Sequence, residues 1–208
     1  MKYRLAIFDF DGTLADSFPL FLKTANQLAA KYQFRRIEEE EVEVIRAYDA
    51  RTILKHIGLP LWKAPVVARE CRIQMTRDIA QIRLFEGVSD LLQQLSKMGI
   101  LLAVVSSNSL ENVRQVLGPE NTAVVSDFEC GVSLLGKRHR LRRVLRKMRV
   151  ACHDAIYIGD EIRDLEAARS EGIAFGAVAW GYTNVESLKA HSPQEIFMTL
   201  GEMVKKIT

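Results

Sequence analysis

Short apolar runs recur along the chain, separated by stretches whose apolar positions fall at helical spacing. Leu5–Phe8, Ile100–Val105, Ala123–Val125, Ala155–Ile158 and Ile173–Val178 are rich in Ile, Val, Leu and Ala and lack polar alternation. A strand covered on both faces has this signature, because neither side of it meets water. Between the runs, Val88, Leu91, Leu92 and Leu95 share one helical face, and Gly99 follows as a stop. Leu141, Val144, Leu145 and Met148 share a second face, and Leu165, Ala167 and Ala168 a third that ends near Gly172. Alternating strand and helix predict an α/β fold, an open and mainly parallel sheet flanked by helices with right-handed crossovers.

One segment breaks the alternation. From about Ser17 to Leu84 helix follows helix with no convincing strand. Ala25, Leu28 and Ala29 sit on one, and Glu38–Glu43 opens another with acids at its N-terminal turn. Ile53, Leu54 and Ile57 mark a third, closed by Gly58 and Pro60, and Val66, Val67, Ile73 and Ile79 a fourth. The pattern predicts a small all-helical cap domain inserted after the first strand. Residues 17–85 would form the cap, and residues 1–16 and 86–208 the α/β core. The hinges would lie near Asp16–Pro19 and Phe85–Gly87.

The strand ends concentrate chemistry. In an open α/β sheet, ligands bind outside the carboxyl ends of the strands. The first strand runs straight into Asp9 and Asp11, the second ends in Ser106, Ser107 and Asn108, and a later one in Asp160. Asp164 follows one helical turn after Asp160, so both can face one point. Four carboxylates at one edge repel each other and lose hydration unless a cation compensates. Hard oxygen ligands with room for water indicate Mg²⁺. Asn108 reads as a cap or loop residue. Ser106 could equally cap the helix starting near Leu110, and Asp164 could be an ordinary first-turn acid.

Composition narrows the class. The chain has 208 residues, 48% of them apolar and 26% charged, enough for a sizeable core and too balanced for global disorder. Net charge is +3. Three dispersed cysteines with no C-x-x-C spacing read as reduced thiols of a cytoplasmic protein. No apolar run is long enough to span a bilayer, and the N-terminal one is too short for a signal peptide, so no membrane partner is expected. The basic run from Lys137 to Arg149 carries apolar residues at helical spacing and no interleaved aromatics, so no nucleic-acid partner is expected. Cys130, His139, Cys152 and His153 match no zinc spacing. Monomer and homodimer are both left open.

DFDGT (Asp9–Thr13), VVSS (Val104–Ser107) and GDEIRD (Gly159–Asp164) together resemble the motifs of the haloacid dehalogenase superfamily, in its phosphatase branch. The resemblance spans essentially the whole chain and implies a Rossmann-like core. The helical insert resembles the family's first-type cap, as in phosphoglycolate phosphatase and beta-phosphoglucomutase relatives. The family's third motif is a lysine before or early in a helix, and Lys137 matches it, although Arg138 stands where relatives often have proline. The resemblance implies Asp9 as a nucleophile that becomes an aspartyl-phosphate, and Asp11 as general acid and then base. Ser106 (with Ser107 as rival), Lys137, Gly12 and Thr13 would surround the phosphate, and Thr13 would orient Asp11 or its loop. Mg²⁺ would be held by Asp9, Asp160, Asp164 and the backbone carbonyl of Asp11. Relatives that cleave carbon–halogen bonds usually lack an aspartate at the position of Asp11, so its presence favours phosphoryl transfer. The implied activity is Mg²⁺-dependent hydrolysis of a small phosphorylated metabolite. A phosphomutase is the runner-up, and a non-enzymatic binding protein on the same scaffold the third hypothesis. Arg46, Arg51, Lys55, Trp62 and Lys63 are candidate substrate contacts from the cap.

Overall fold

The structure, a computed structural model, describes residues 2–131 and 136–208. In chain order the strands are β1 (Leu5–Phe8), β2 (Ala15–Asp16), β3 (Arg83–Leu84), β4 (Leu101–Val105), β5 (Asp127–Glu129), β6 (Ala155–Gly159), β7 (Ala174–Val178) and β8 (Glu195–Phe197). The helices are α1 (Phe18–Tyr32), α2 (Val42–Ile45), α3 (Ala50–His56), α4 (Ala64–Arg77), α5 (Val88–Lys97), α6 (Leu110–Val124), α7 (Lys137–Met148), α8 (Ile162–Ser170), α9 (Val185–Lys189) and α10 (Leu200–Ile207).

Six strands form one parallel sheet in the order β5-β4-β1-β6-β7-β8. The apolar runs form strands because both faces are covered. Ala6 and Phe8 of β1 pack with Val88, Leu92 and Leu95 of α5, Val113 and Leu117 of α6 and Met203 of α10. Leu5 and Ile7 point the other way, onto Leu141 and Val144 of α7 and Leu165 and Ala168 of α8. Burying side chains such as Ile7 and Phe8 stabilises the fold by about 1.5–3 kcal/mol each. The register pairs Phe8 with Val104 on one side and Ile158 on the other. Asp9, Ser106 and Asp160 therefore leave the sheet side by side, where the chain's direction of travel reverses around β1.

Two edge strands depart from the sequence expectation. Ala123 and Val124 complete α6, which bends at Gly118 (φ 74°) and resumes after Pro119; proline is favourable at such a restart. Val125 lies outside the sheet. The strand beside β4 is Asp127–Glu129, with Phe128 its one apolar residue, so no apolar run announces it. Its acids are covered by α7: Lys147 Nζ lies 3.1 Å from Asp127 and 2.7 Å from Glu129, and Arg140 and Arg143 each lie 3.4 Å from Glu129. Arg138 and Arg142 pair with Glu171 at 2.7 and 2.8 Å. Much of the basic run is thus paired with acids of the fold, its own side chains remaining partly exposed. On the far edge, β8 has three residues and was likewise unmarked.

The helices α1–α4 lie between β2 and β3, which pair antiparallel with Ala15 opposite Leu84 and Asp16 opposite Arg83. Pro19 opens α1, where a missing N–H costs nothing. The segment packs an apolar cluster of its own, containing Leu28, Ile37, Ile45, Ile57, Leu59, Val67 and Cys71. On α4 the buried positions are Val67 and Cys71; Val66 and Ile73, expected inside, are exposed, and Ile79 lies beyond the helix end. Among the described residues, no helix is long and apolar enough to cross a membrane, and the three cysteines are free thiols.

Candidate active site

Asp9 follows β1 directly and is 3% exposed. Its Oδ2 accepts from Lys137 Nζ at 2.7 Å. The same ammonium donates to Asp164 Oδ1, which also accepts from the Tyr157 hydroxyl at 3.2 Å. Lys137 heads α7 and Asp164 sits in the first turn of α8, so two helix starts and one strand end deliver these groups to one point. Asp160 follows β6 directly and is held twice: Thr13 Oγ1 donates to its Oδ1 at 3.0 Å, and the Tyr182 N–H to its Oδ2 at 2.7 Å. Thr13, expected to orient Asp11 or its loop, is fully buried and its hydroxyl is directed at Asp160.

Carboxylate oxygens of Asp9, Asp160 and Asp164 lie within 4.8 Å of one another. With Lys137 among them, three carboxylates leave two negative charges uncompensated in a buried site. Asp164 Oδ2 is buried with no hydrogen-bond partner among the described residues. Burial pushes the Asp9 carboxyl upward, against the pull of Lys137 and with the push of Asp164. Asp160 is raised for the same first reason, helped by Glu161 and Asp9. Burial opposes the charge of Lys137, but Asp164 and Asp9 together hold its ammonium well above the ordinary lysine range. An oxygen-rich, net-negative, desolvated cluster with an orphaned lone pair fits a hard divalent cation.

The Asp11 side chain is not part of that cluster. Its carboxylate accepts from Asn108 Nδ2 at 3.2 and 3.5 Å. Burial raises it, while hydrogen bonds from Ser17 and Asn108 hold it down. Asn108 is therefore a site residue and not merely a loop residue; its Oδ1 accepts from the Ser109 N–H at 2.9 Å and from Asn112 Nδ2 at 2.8 Å, which locks the amide. Ser106 is fully buried, and its Oγ accepts from the Asn108 N–H at 3.0 Å, leaving its own proton to donate. Ser109, not Ser106, caps α6.

A cavity of about 470 Å³ opens in front of Asp11. Ser107, Asn108, Glu161 and Arg163 line it from the sheet side, and Phe21, Cys71, Arg72, Met75 and Thr76 from α1 and α4. Asp9, bonded to Lys137, does not line it. Of the expected contacts from the helical segment, Arg51 and Lys55 are exposed, Trp62 is 75% exposed, and none of Arg46, Arg51, Lys55, Trp62 or Lys63 lines the cavity. Residues of α1 and α4 border it instead, and α4 presents a different face from the one its apolar spacing indicates.

Three glycines make the close packing possible. A Cβ on Gly12 would lie 2.3 Å from Asp160 Oδ2, one on Gly159 2.8 Å from Asp164 Oδ2, and one on Gly181 2.0 Å from Asp160 Cβ. Gly12 also has φ +74°, which strains any L side chain. Gly12→Ala is expected to lower kcat at least about 100-fold, because a displacement of an ångström at such a site costs that much. Steady-state rates on an aryl phosphate, with circular dichroism to show the fold intact, check this; a rate near wild type would mean the loop has slack.

Residues 6–178 match the family described as haloacid dehalogenase-like hydrolase. The chain belongs to that family. Its phosphatase members are the relatives it resembles in sequence. It is 33% identical over 203 residues to a phosphoglycolate phosphatase of Synechococcus elongatus, covering 97% of this chain and 96% of that one. It is 26% identical to an N-acetylmuramic acid 6-phosphate phosphatase of Pseudomonas aeruginosa, over 92% of this chain and 88% of that one. A haloacid dehalogenase-like hydrolase from Streptococcus pneumoniae shares the fold, with a TM-score of 0.75 and 22% identity, covering 100% of this chain and 99% of that one. In this haloacid dehalogenase-like hydrolase, Tyr157 and Tyr182 touch the cluster without having been singled out by sequence, and Asn108, noted at the strand end, bonds to Asp11. Asn108 looked like ordinary turn chemistry, and Tyr157 like core. Tyr182 follows an apolar strand in GAVAWGY, and the glycine beside an aromatic at a strand's carboxyl end was the available signal.

Proposed function

We propose that the chain hydrolyses a small phosphorylated metabolite in the manner of a phosphoglycolate phosphatase, through an aspartyl-phosphate on Asp9. The observation that supports this most is the gathering of Asp9, Asp160 and Asp164 in one cluster, with Lys137 bonded to Asp9 and Asp164 and with Asp11 bonded to Asn108. Two carboxylates in different environments can take different roles. An oxygen of Asp9 attacks phosphorus, the Asp9–phosphorus bond forms, and the bond to the leaving oxygen breaks. Asp11 gives that oxygen its proton. Water then attacks phosphorus, Asp11 takes its proton, and the bond to Asp9 breaks. Ser106 and Lys137 hold the phosphoryl oxygens as charge builds on them. Asp9, Asp160, Asp164 and the Asp11 carbonyl would hold Mg²⁺, which when bound neutralises negative charge shared by the carboxylates and the phosphoryl group.

In this proposal residues 1–16 and 86–208 act as catalytic core and residues 17–85 as a cap that excludes water and selects the leaving group. Phe21, Arg72, Met75 and Thr76 would meet that group, since they form the cavity wall opposite Asn108. Full-length relatives act by name on phosphoglycolate and on N-acetylmuramic acid 6-phosphate, so the leaving group varies on one scaffold. The test is phosphate release across a panel of phosphorylated metabolites, with and without Mg²⁺. Turnover of 2-phosphoglycolate or another small monoester that stops with EDTA is expected. No release from any monoester, or isomerisation of a sugar phosphate without release, would overturn the proposal.

A further inference from the structure

Tyr182 joins the carboxylate cluster to the helical segment by three separate contacts. Its backbone N–H donates to Asp160 Oδ2 at 2.7 Å. Its ring stands edge-on to Phe18 of α1, with centroids 5.0 Å apart and planes at 89°, and tilts onto Phe21 at 5.4 Å. Its hydroxyl shares a hydrogen bond of 3.1 Å with Ser17 Oγ, at the point where the helical segment begins. The turn that carries it is gripped from the segment at both ends. Arg46 Nη2 donates to the Gly181 carbonyl, and the Arg46 carbonyl accepts from the Asn184 N–H at 2.7 Å. The Arg46 guanidinium also sits 5.9 Å from the Phe18 ring centroid. A third clasp lies just beyond, where Ser187 Oγ donates to the Ala47 carbonyl at 3.1 Å. The turn has no room to drift: a Cβ at Gly181 would lie 2.0 Å from Asp160 Cβ, and one at Gly12 2.5 Å from Tyr182 Cδ2.

We infer that Tyr182 is a positioning residue through which docking of the helical segment sets the affinity of the carboxylate cluster for a divalent cation. The inference rests on the assignment of Asp160 to that cation. The physical chain is short. Moving α1 or the Arg46–Ala47 stretch away from the sheet breaks the ring contacts and the grip on Gly181 and Asn184. The turn then loosens, and Asp160 Oδ2 loses an N–H that fixes its direction. A ligand carboxylate that must be reoriented on binding binds more weakly, and groups of this supporting kind alter metal affinity by about 10–100-fold. Coupling of this kind is reciprocal, so cation binding must also favour the docked segment.

The experiment measures Mn²⁺ binding by electron paramagnetic resonance of the free ion, with no substrate and no turnover. Tyr182→Ala is expected to weaken Mn²⁺ about tenfold or more, and Tyr182→Phe, which keeps the ring and the backbone, by no more than about threefold. Arg46→Ala touches no carboxylate of the cluster, yet it should weaken Mn²⁺ several-fold by freeing the Gly181 carbonyl and Phe18. In wild type, Mn²⁺ should slow hydrogen exchange at residues 181–184 and 46–47, and in Tyr182→Ala this protection should vanish. If Tyr182→Ala and Arg46→Ala both bind Mn²⁺ like wild type, the coupling is overturned. Should Tyr182→Ala fail to fold, Arg46→Ala alone decides, with wild-type affinity counting against. Asp160→Asn separates the two levels: if it too binds Mn²⁺ normally, the assignment of Asp160 to the cation is what fails, and the coupling falls with it.

Discussion

Asp9→Asn is expected to lower kcat on an aryl phosphate by at least about ten-thousandfold, in line with the loss of a covalent nucleophile elsewhere. The amide keeps the shape of the carboxylate, and its carbonyl oxygen can still accept from Lys137, so the fold should persist. It cannot form the acyl-phosphate bond to phosphorus. The same change should raise stability in EDTA. Asp9 is buried beside Asp164 and near Asp160; burial and Asp164 both disfavour its charged form, and a neutral amide of the same shape removes that cost. Rate and thermal midpoint should therefore move in opposite directions. Kinetics with phosphate detection and melts in EDTA check both; turnover at the wild-type rate would remove Asp9 from the role of nucleophile.

Lys137→Met should act with the opposite sign on stability. It deletes the one ammonium between Asp9 and Asp164 and leaves two buried carboxylates facing each other. Breaking such a pair costs about 3–5 kcal/mol. The loss should be greatest in EDTA and partly recovered at saturating Mg²⁺, because a ligand that binds only the folded chain stabilises it by mass action. Turnover should fall by roughly a hundred- to a thousandfold, the scale for losing one donor to a developing oxyanion. Urea melts with and without Mg²⁺, alongside initial rates, provide the check. Equal stability of variant and wild type in EDTA would show that the ammonium does not compensate those carboxylates.

The parallel core strands were legible because they are covered on both faces, and continuous apolar runs such as Leu5–Phe8 and Ala155–Ile158 have no other common explanation in an alternating chain. The edge strands were not. Asp127–Glu129 is held by its ladder to β4 and by cations from α7, neither of which leaves an apolar trace in the sequence. The acidic cluster was legible for a related reason: charges placed directly after buried strands demand compensation, and three of the four expected aspartates share one cluster while Asp11 stands beside it. What hid was support. Asn108 reads as a cap or loop residue, the bond from Thr13 to Asp160 spans 147 positions, and Tyr182 lies far along the chain from everything it touches. Long-range hydrogen bonds of this kind have no periodicity to betray them. The cavity wall from α4 was hidden too, because Val66 and Ile73 look like core in sequence yet are exposed.

The pairing of β2 with β3 sets the chain's departure from the sheet and its return side by side, Asp16 opposite Arg83. An excursion that starts and finishes at one spot is a natural splice point. A two-residue hairpin turn can bridge such strands, so deleting everything between them should keep the six-stranded sheet while uncovering the basin and freeing the Tyr182 turn from Phe18, Phe21 and Arg46. Transplanting a foreign helical bundle at the same junction would redirect the choice of leaving group, and would keep the cation affinity only if it restored a grip on the Tyr182 turn.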